Sequence, residues 1–223
     1  MMSRKELAKM IDHTMVKPTA TQDDIKLLCN EAIKYGFNCA VMNPTYVPLA
    51  VKLLKNSDVR VCSTVGFPIG VSLPEVKAFE TKMVAEAGAK EVDMVINLSA
   101  LKSKDYVMVR KDIEAVVGVK HSFSDLVVKV IIETGYLTDD EKVIACKLCK
   151  EAGADFVKTS TGLLVGKATV EDVRLMRKTV GMNVGVKASA GIRTLKDVLA
   201  MIEAGANRIG TSAGVQIIEE IQE

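Results

Sequence analysis

The chain has 223 residues, 48% of them hydrophobic, and its 30 basic side chains nearly balance 28 acidic ones. That length supports one sizeable core, and the even charge argues against a nucleic-acid partner or an acidic tail. No apolar run approaches the roughly 20 residues of a membrane span, and the opening MMSRKELAKMIDHT lacks the apolar segment of a signal peptide, so a cytoplasmic protein without a membrane partner is expected.

In chain order, SRKELAKM reads as an extra helix ahead of a first strand near 11–14. Further strands fall near 38–42, 59–65, 91–96, 126–132, 156–160, 184–188 and 207–211. Several are continuous apolar runs (VRVCSTV, VDMVI, VVKVII), as expected of parallel strands covered on both faces. Between them lie amphipathic segments such as DDIKLLCNEAIKYG, PEVKAFETKMVAEAGA and YVMVRKDIEAVVG, while Thr138 and Thr194 stand as N-caps before DDEKVIACKLCK and LKDVLAMI. The tetrapeptide EAGA recurs at 86–89, 151–154 and 203–206, each time where a helical pattern gives way to an apolar run, so its glycine reads as a left-handed helix stop. Eight units of about 28 residues imply a closed (β/α)8 TIM barrel, a single domain over residues 1–223. An open doubly wound sheet is the alternative, but no G-x-G-x-x-G follows the first strand.

Five cysteines at 29, 39, 62, 146 and 149 are an odd, scattered set, which argues against disulfides. Cys146 and Cys149 sit within a helical pattern and read as packing, and with only His13 and His121 present no metal site and no cofactor are expected.

In a barrel the chemistry gathers where strands end, and there the sequence places Asp12, His13 and Thr14, Ser63 and Thr64, Asp93 and Asn97, Lys129 and Glu133, Lys158, and Lys187. Singly each has a plain reading: Lys129, for instance, could pair with Glu133 two pleats along the same face. Jointly, FVKTSTG and VKASAG bring two lysines to matching strand ends with a carboxylate nearby. A lysine of pKa about 10.4 is almost wholly protonated at neutral pH; an apolar wall and a neighbouring cation both favour its amine. That is the preparation for Schiff-base chemistry on a carbonyl, with Asp93 as proton shuttle. AGIRT and GTSAG, with Arg193 and Ser212, are small glycine-bearing segments in the last two units, where barrels commonly bind phosphate. FPIGVSLP (67–74) could cover the site.

Through IDHT, EVDMVIN, VIIETG, FVKTSTG, VGVKASAG and RIGTSAG the sequence resembles the deoxyribose-phosphate aldolase family, class I aldolases that use no metal. The resemblance implies reversible cleavage of 2-deoxyribose 5-phosphate to acetaldehyde and glyceraldehyde 3-phosphate. It implies Lys158 as the Schiff-base lysine, Lys187 as the lysine that depresses its pKa, and Asp93 as acid/base. It also implies Asp12 and Thr161 at substrate hydroxyls, and Gly162, Gly191, Arg193, Gly210 and Ser212 at the phosphate. The partners implied are the phosphorylated sugar, acetaldehyde and further copies of the chain in a homodimer or homotetramer. Two positions depart from the family pattern: Leu163 stands where many members carry a lysine, and Ala190 where many have the first of two glycines. The competing readings are another Schiff-base or transaldolase-like barrel for a different sugar phosphate, and a barrel that only binds a sugar phosphate.

Overall fold

Eight parallel strands close on themselves in sequence order in a computed structural model that describes residues 2–221. They are β1 (Ile11–Met15), β2 (Cys39–Met42), β3 (Arg60–Val65), β4 (Glu91–Val95), β5 (Val127–Ile131), β6 (Phe156–Lys158), β7 (Gly185–Ser189) and β8 (Arg208–Thr211), with β8 pairing back onto β1. The chain is therefore a (β/α)8 barrel, and the eight expected strands match within one or two residues at each end. The largest difference is β6, which stops at Lys158 because Thr159 and Ser160 turn into the following loop.

The helices in chain order are α1 (Arg4–Ala8), α2 (Gln22–Tyr35), α3 (Val47–Leu54), α4 (Pro74–Glu86), α5 (Leu98–Lys102), α6 (Tyr106–Val117), α7 (Asp139–Glu151), α8 (Val170–Val180), α9 (Leu195–Glu203) and α10 (Gly214–Glu219). The extra N-terminal helix is α1, whose Leu7 and Ala8 join the core ahead of β1. Thr138 and Thr194 form reciprocal capping boxes with Glu141 and Asp197. Each EAGA segment closes its helix with a left-handed glycine (Gly88, Gly153, Gly205) and a bond from the next amide to the carbonyl five residues back. Two orphan carbonyl problems are thus solved by one repeated tetrapeptide, and the chain is turned straight into a strand.

Alternation along the strands sorts the side chains into two layers. Val92, Met94, Val128, Val130, Val157, Val186 and Ile209 face outward into the apolar core beneath the helices. Inward lie Asp12, Glu91, Asp93, Lys129, Lys158, Lys187 and Arg208, together with a small apolar group of Cys39, Val41 and Cys62. The barrel interior is therefore mostly charged, and helix packing carries the hydrophobic stabilisation.

No residue of the 67–74 segment lines the cavity at the C-terminal ends of the strands. Gly66 N donates to Glu80 Oε2 at 2.8 Å, Gly70 N donates to Gly66 O at 2.7 Å, and Gly70 lies so close over the Ile96 carbonyl that no Cβ would fit. Ile69, Val71 and Leu73 instead face solvent, continuous with Val76, Phe79 and Met83 on α4.

Candidate active site

Three lysines converge on one carboxylate. Lys158 Nζ and Lys187 Nζ both donate to Asp93 Oδ2 at 2.7 Å, and Lys129 Nζ donates to Asp93 Oδ1 at 2.8 Å. Adjacent strands in register put them there: Lys158 lies opposite Lys187 across β6 and β7, and Asp93 opposite Lys129 across β4 and β5. Lys129 does not pair with Glu133; its second partner is Glu91 at 2.6 Å. Glu133 turns the other way because its backbone is left-handed, at φ 53° and ψ 67°.

The charges of the interior balance in a revealing way. Three acids, Asp12, Glu91 and Asp93, have fully buried side chains. Asp12 pairs with Lys187 at 2.6 Å and with Arg208 at 2.8 Å, Glu91 with Lys129 and with Arg208 at 3.1 Å, and Asp93 with the three lysines. Against these three acids stand four bases, Lys129, Lys187, Arg208 and Lys158. Arg60 also touches Glu91, but its side chain is half exposed and its charge is largely screened by water. One buried proton is surplus, and an uncompensated buried ammonium is expensive.

Among the four bases, Lys158 is the one whose charged form is disfavoured. Burial, with the neighbouring Lys187 charge, lowers its pKa despite the pull of Asp93. Lys187 shifts the other way: burial opposes its charge, but Asp12 and Asp93 together hold its ammonium above the ordinary value. Asp93 is kept well below the usual carboxylate range by Lys129, Lys158 and Lys187, which outweigh burial. The interior thus holds three acids matched by Lys129, Lys187 and Arg208, and a fourth base whose ammonium is disfavoured by burial and by Lys187.

Lys158 is also the lysine with access. It lines a cavity of about 720 Å³ at the C-terminal ends of the strands, whereas the buried Lys187, Asp93 and Asp12 do not line it. Of the other expected positions, Thr161, Gly162, Gly191, Arg193, Gly210 and Ser212 line the same cavity. Asp12 is not brought to it: its carboxylate is spent on Lys187 and Arg208. Sequence reasoning missed Lys17 and Lys167, which add two cations to the cavity wall. The sequence places Lys167 in the loop after FVKTSTG, but no local signal turns it toward the cavity. A separate depression of about 600 Å³ beside His13 and Glu31 shares only Ser212 with this cavity and contains neither lysine.

The phosphate end differs from expectation. The first amides of α9 are occupied, since Arg193 N and Thr194 N donate to Asp197 Oδ2 and Leu195 N donates to Glu220 Oε2. An anion there would meet the glycine segments and the cations Lys167 and Arg193, and the helix end beside it without a side-chain cap is that of α10, after Ser212 and Ala213. Ala190 takes a left-handed backbone at φ 77°, a conformation that a glycine would adopt without steric cost.

Asp12, Cys39 and Glu91 also bring three potential metal-ligand atoms together. Lys129, Lys187 and Arg208 already neutralise the two carboxylates, so a metal ion would have to displace ammonium or guanidinium groups.

Residues 7–220 match a family described as DeoC/LacD family aldolase. The chain belongs to the DeoC/LacD aldolases. A deoxyribose-phosphate aldolase of Thermoanaerobacter sp. (strain X514) is 61% identical over 214 residues, covering 96% of each chain. One from Thermococcus kodakarensis is 60% identical over 220 residues, covering 98% of each. Among solved structures, a tetrameric deoxyribose phosphate aldolase from Aeropyrum pernix superposes with a TM-score of 0.91 at 38% identity, over 97% of this chain and 91% of that one. DeoC/LacD aldolases of this similarity share the whole barrel, so the charged interior and the cavity above it belong to the part that aligns.

Proposed function

We propose that the chain is a class I deoxyribose-phosphate aldolase, one aldolase domain that reversibly cleaves 2-deoxy-D-ribose 5-phosphate to acetaldehyde and D-glyceraldehyde 3-phosphate. The observation that carries this is the surplus base: Lys158 alone among the buried cations has no carboxylate of its own and opens onto the cavity. In cleavage, the Lys158 amine adds to the substrate aldehyde and water leaves, giving an imine. Removal of the C3 hydroxyl proton breaks the C2–C3 bond, releasing glyceraldehyde 3-phosphate and leaving an enamine on Lys158. Protonation of the enamine carbon and hydrolysis by water free acetaldehyde and restore the amine. Asp93, through a water, is the proton carrier, and its carboxylate remains beside the positive iminium as counter-charge. Lys187, kept cationic by Asp12, holds the Lys158 proton off.

Purified protein incubated with 2-deoxyribose 5-phosphate should release acetaldehyde, and the release should persist with a chelator present. A protein that binds the sugar phosphate without turnover would support the binding-only reading instead. Activity lost to the chelator and restored by divalent metal would count against a class I mechanism.

Phosphate binding is assigned to the segments around Gly162, Gly191, Gly210 and Ser212, with Arg193 and Lys167 as the cations. Lys167 stands four residues after Leu163 and its stem lies against Gly191, where an added Cβ would sit 3.3 Å from Lys167 Cδ. Lys167→Ala should raise KM for the phosphorylated sugar about tenfold, the size of one charge-assisted contact. It should leave KM for unphosphorylated 2-deoxyribose unchanged; an equal rise for both sugars would remove Lys167 from this role.

The exposed apolar run from Ile69 to Met83 supports self-association as a homodimer or homotetramer, in keeping with the tetramer described for the Aeropyrum pernix relative. A monomeric mass by light scattering would reject it. Five buried, unpaired cysteines support a reducing, cytoplasmic setting, and no helix among the described residues is long and apolar enough to cross a membrane.

A further inference from the structure

Glu133 is a buried carboxylate that the reaction scheme leaves unused. It is fully buried, yet it makes no ion pair among the described residues, and its Oε1 has no hydrogen-bond partner there. Its backbone is left-handed at φ 53°, a conformation that is strained for a non-glycine residue. Two costs therefore meet at one residue between the end of β5 and the turn after it, and such outliers persist only where surrounding structure holds them.

The side chain spends that cost on the neighbouring loop. Glu133 Oε2 accepts the Thr161 amide at 3.0 Å. Thr161 Oγ1 in turn accepts the amides of Leu163 and Leu164 at 3.3 and 3.4 Å, and Ala168 N closes the loop onto Ala190 O at 3.0 Å. The other carboxylate oxygen abuts Gly166, where a Cβ would overlap it, and an added Cβ at Gly135 would lie 2.6 Å from Gly166 Cα. Ser160 Oγ, next to Gly166, is also without a partner among the described residues. The loop of residues 161–167 supplies Thr161, Gly162 and Lys167 to the cavity, so its placement sets the substrate end while Lys158 sits on the strand behind it.

We infer that Glu133 is a positioning residue that docks the 161–167 loop against the β5 end and so determines how tightly the phosphorylated substrate is held, without touching substrate itself. This rests on the aldolase reading for its kinetic test but not for its structural one. Glu133→Ala should raise KM for 2-deoxyribose 5-phosphate about tenfold with a much smaller change in kcat, because one hydrogen bond to a charged group is lost away from the reacting atoms. The borohydride-reduced acetaldehyde adduct on Lys158 should form to the wild-type extent, and hydrogen exchange at the Thr161 amide should accelerate by about tenfold or more. Glu133→Gln keeps a side-chain oxygen to accept from the Thr161 amide, so it should restore KM to within about threefold of wild type.

Unchanged KM and unchanged Thr161 exchange in Glu133→Ala would overturn the inference, as would a Glu133→Gln variant as impaired as Glu133→Ala. Should Glu133→Ala fail to fold, Gly166→Ala presses a methyl group on the same carboxylate and should show the same KM rise with the adduct retained; an unaltered KM would likewise overturn it. If the wild type does not cleave the sugar phosphate, the functional reading fails, and Thr161 exchange in Glu133→Ala still decides the docking role.

Discussion

Replacing Lys158 by alanine should abolish aldol cleavage, with a loss on the order of 10⁴-fold or more, because a residue that forms the covalent intermediate has no substitute. Reduction with borohydride in the presence of acetaldehyde, followed by peptide mass mapping, should locate a stable two-carbon adduct on Lys158 in the wild type and none in the variant. An adduct on Lys187 or Lys129 instead would overturn the assignment. The buried charges give the physical reason for expecting one site: Lys187 and Lys129 are locked as ammonium by Asp12, Asp93 and Glu91, and only Lys158 lacks a carboxylate of its own. The sign of the pH effect follows. Activity needs the neutral amine, so it should fall as pH drops through the lowered Lys158 pKa. Burial is the first cause of that lowering and the Lys187 charge a further one. Lys187→Met should therefore move the acid limb of the rate profile to higher pH; a limb that stays in place or moves down would show that Lys187 does not act on Lys158 through its charge.

Asp93→Asn should be the most destabilising single change in the barrel interior. It strips the shared counter-charge from Lys129, Lys158 and Lys187 at once, and removing one partner from a buried ionic group costs about 3–5 kcal/mol. For a chain of this size that is a drop in Tm of about 10 °C, alongside loss of turnover. The pH dependence distinguishes this from simple loss of packing. The folded Asp93 pKa lies well below the ordinary carboxylate range, so its contribution is present above the unfolded pKa and is lost as pH falls through the folded one. The gap in stability between wild type and Asp93→Asn should be full at neutral pH and shrink as pH falls below about 4. A gap constant from neutral to strongly acid pH would mean that the charge of Asp93 is not what stabilises the interior.

Much of the barrel was legible because its signals are local. Thr138 and Thr194 announce helix starts three residues ahead of their acidic partners, and the glycine in each EAGA announces a stop within four. The lysine pair was legible through the recurrence of one short pattern, VKxS. The partners of Lys129 were not, since Glu133 lies four residues away in sequence while Glu91 and Asp93 come from the next strand. Nor could Asp12 be told from a substrate ligand, because its partner Arg208 is 196 residues distant and meets it only when β8 closes onto β1. Lys167 passed unnoticed because nothing in its neighbours marks a loop lysine as facing a cavity.

By itself the sequence determined eight strand–helix units, their boundaries and the residue types available at each strand end. These depend on periodicity, caps and turns, which act over a few residues. Only the closed barrel decided the balance of charge: which three bases were matched by acids, which fourth was left over, and that this fourth, Lys158, was the one beneath an open cavity. Desolvation and Coulomb interaction depend on distance in space, and chain separation carries no information about that until β1 meets β8.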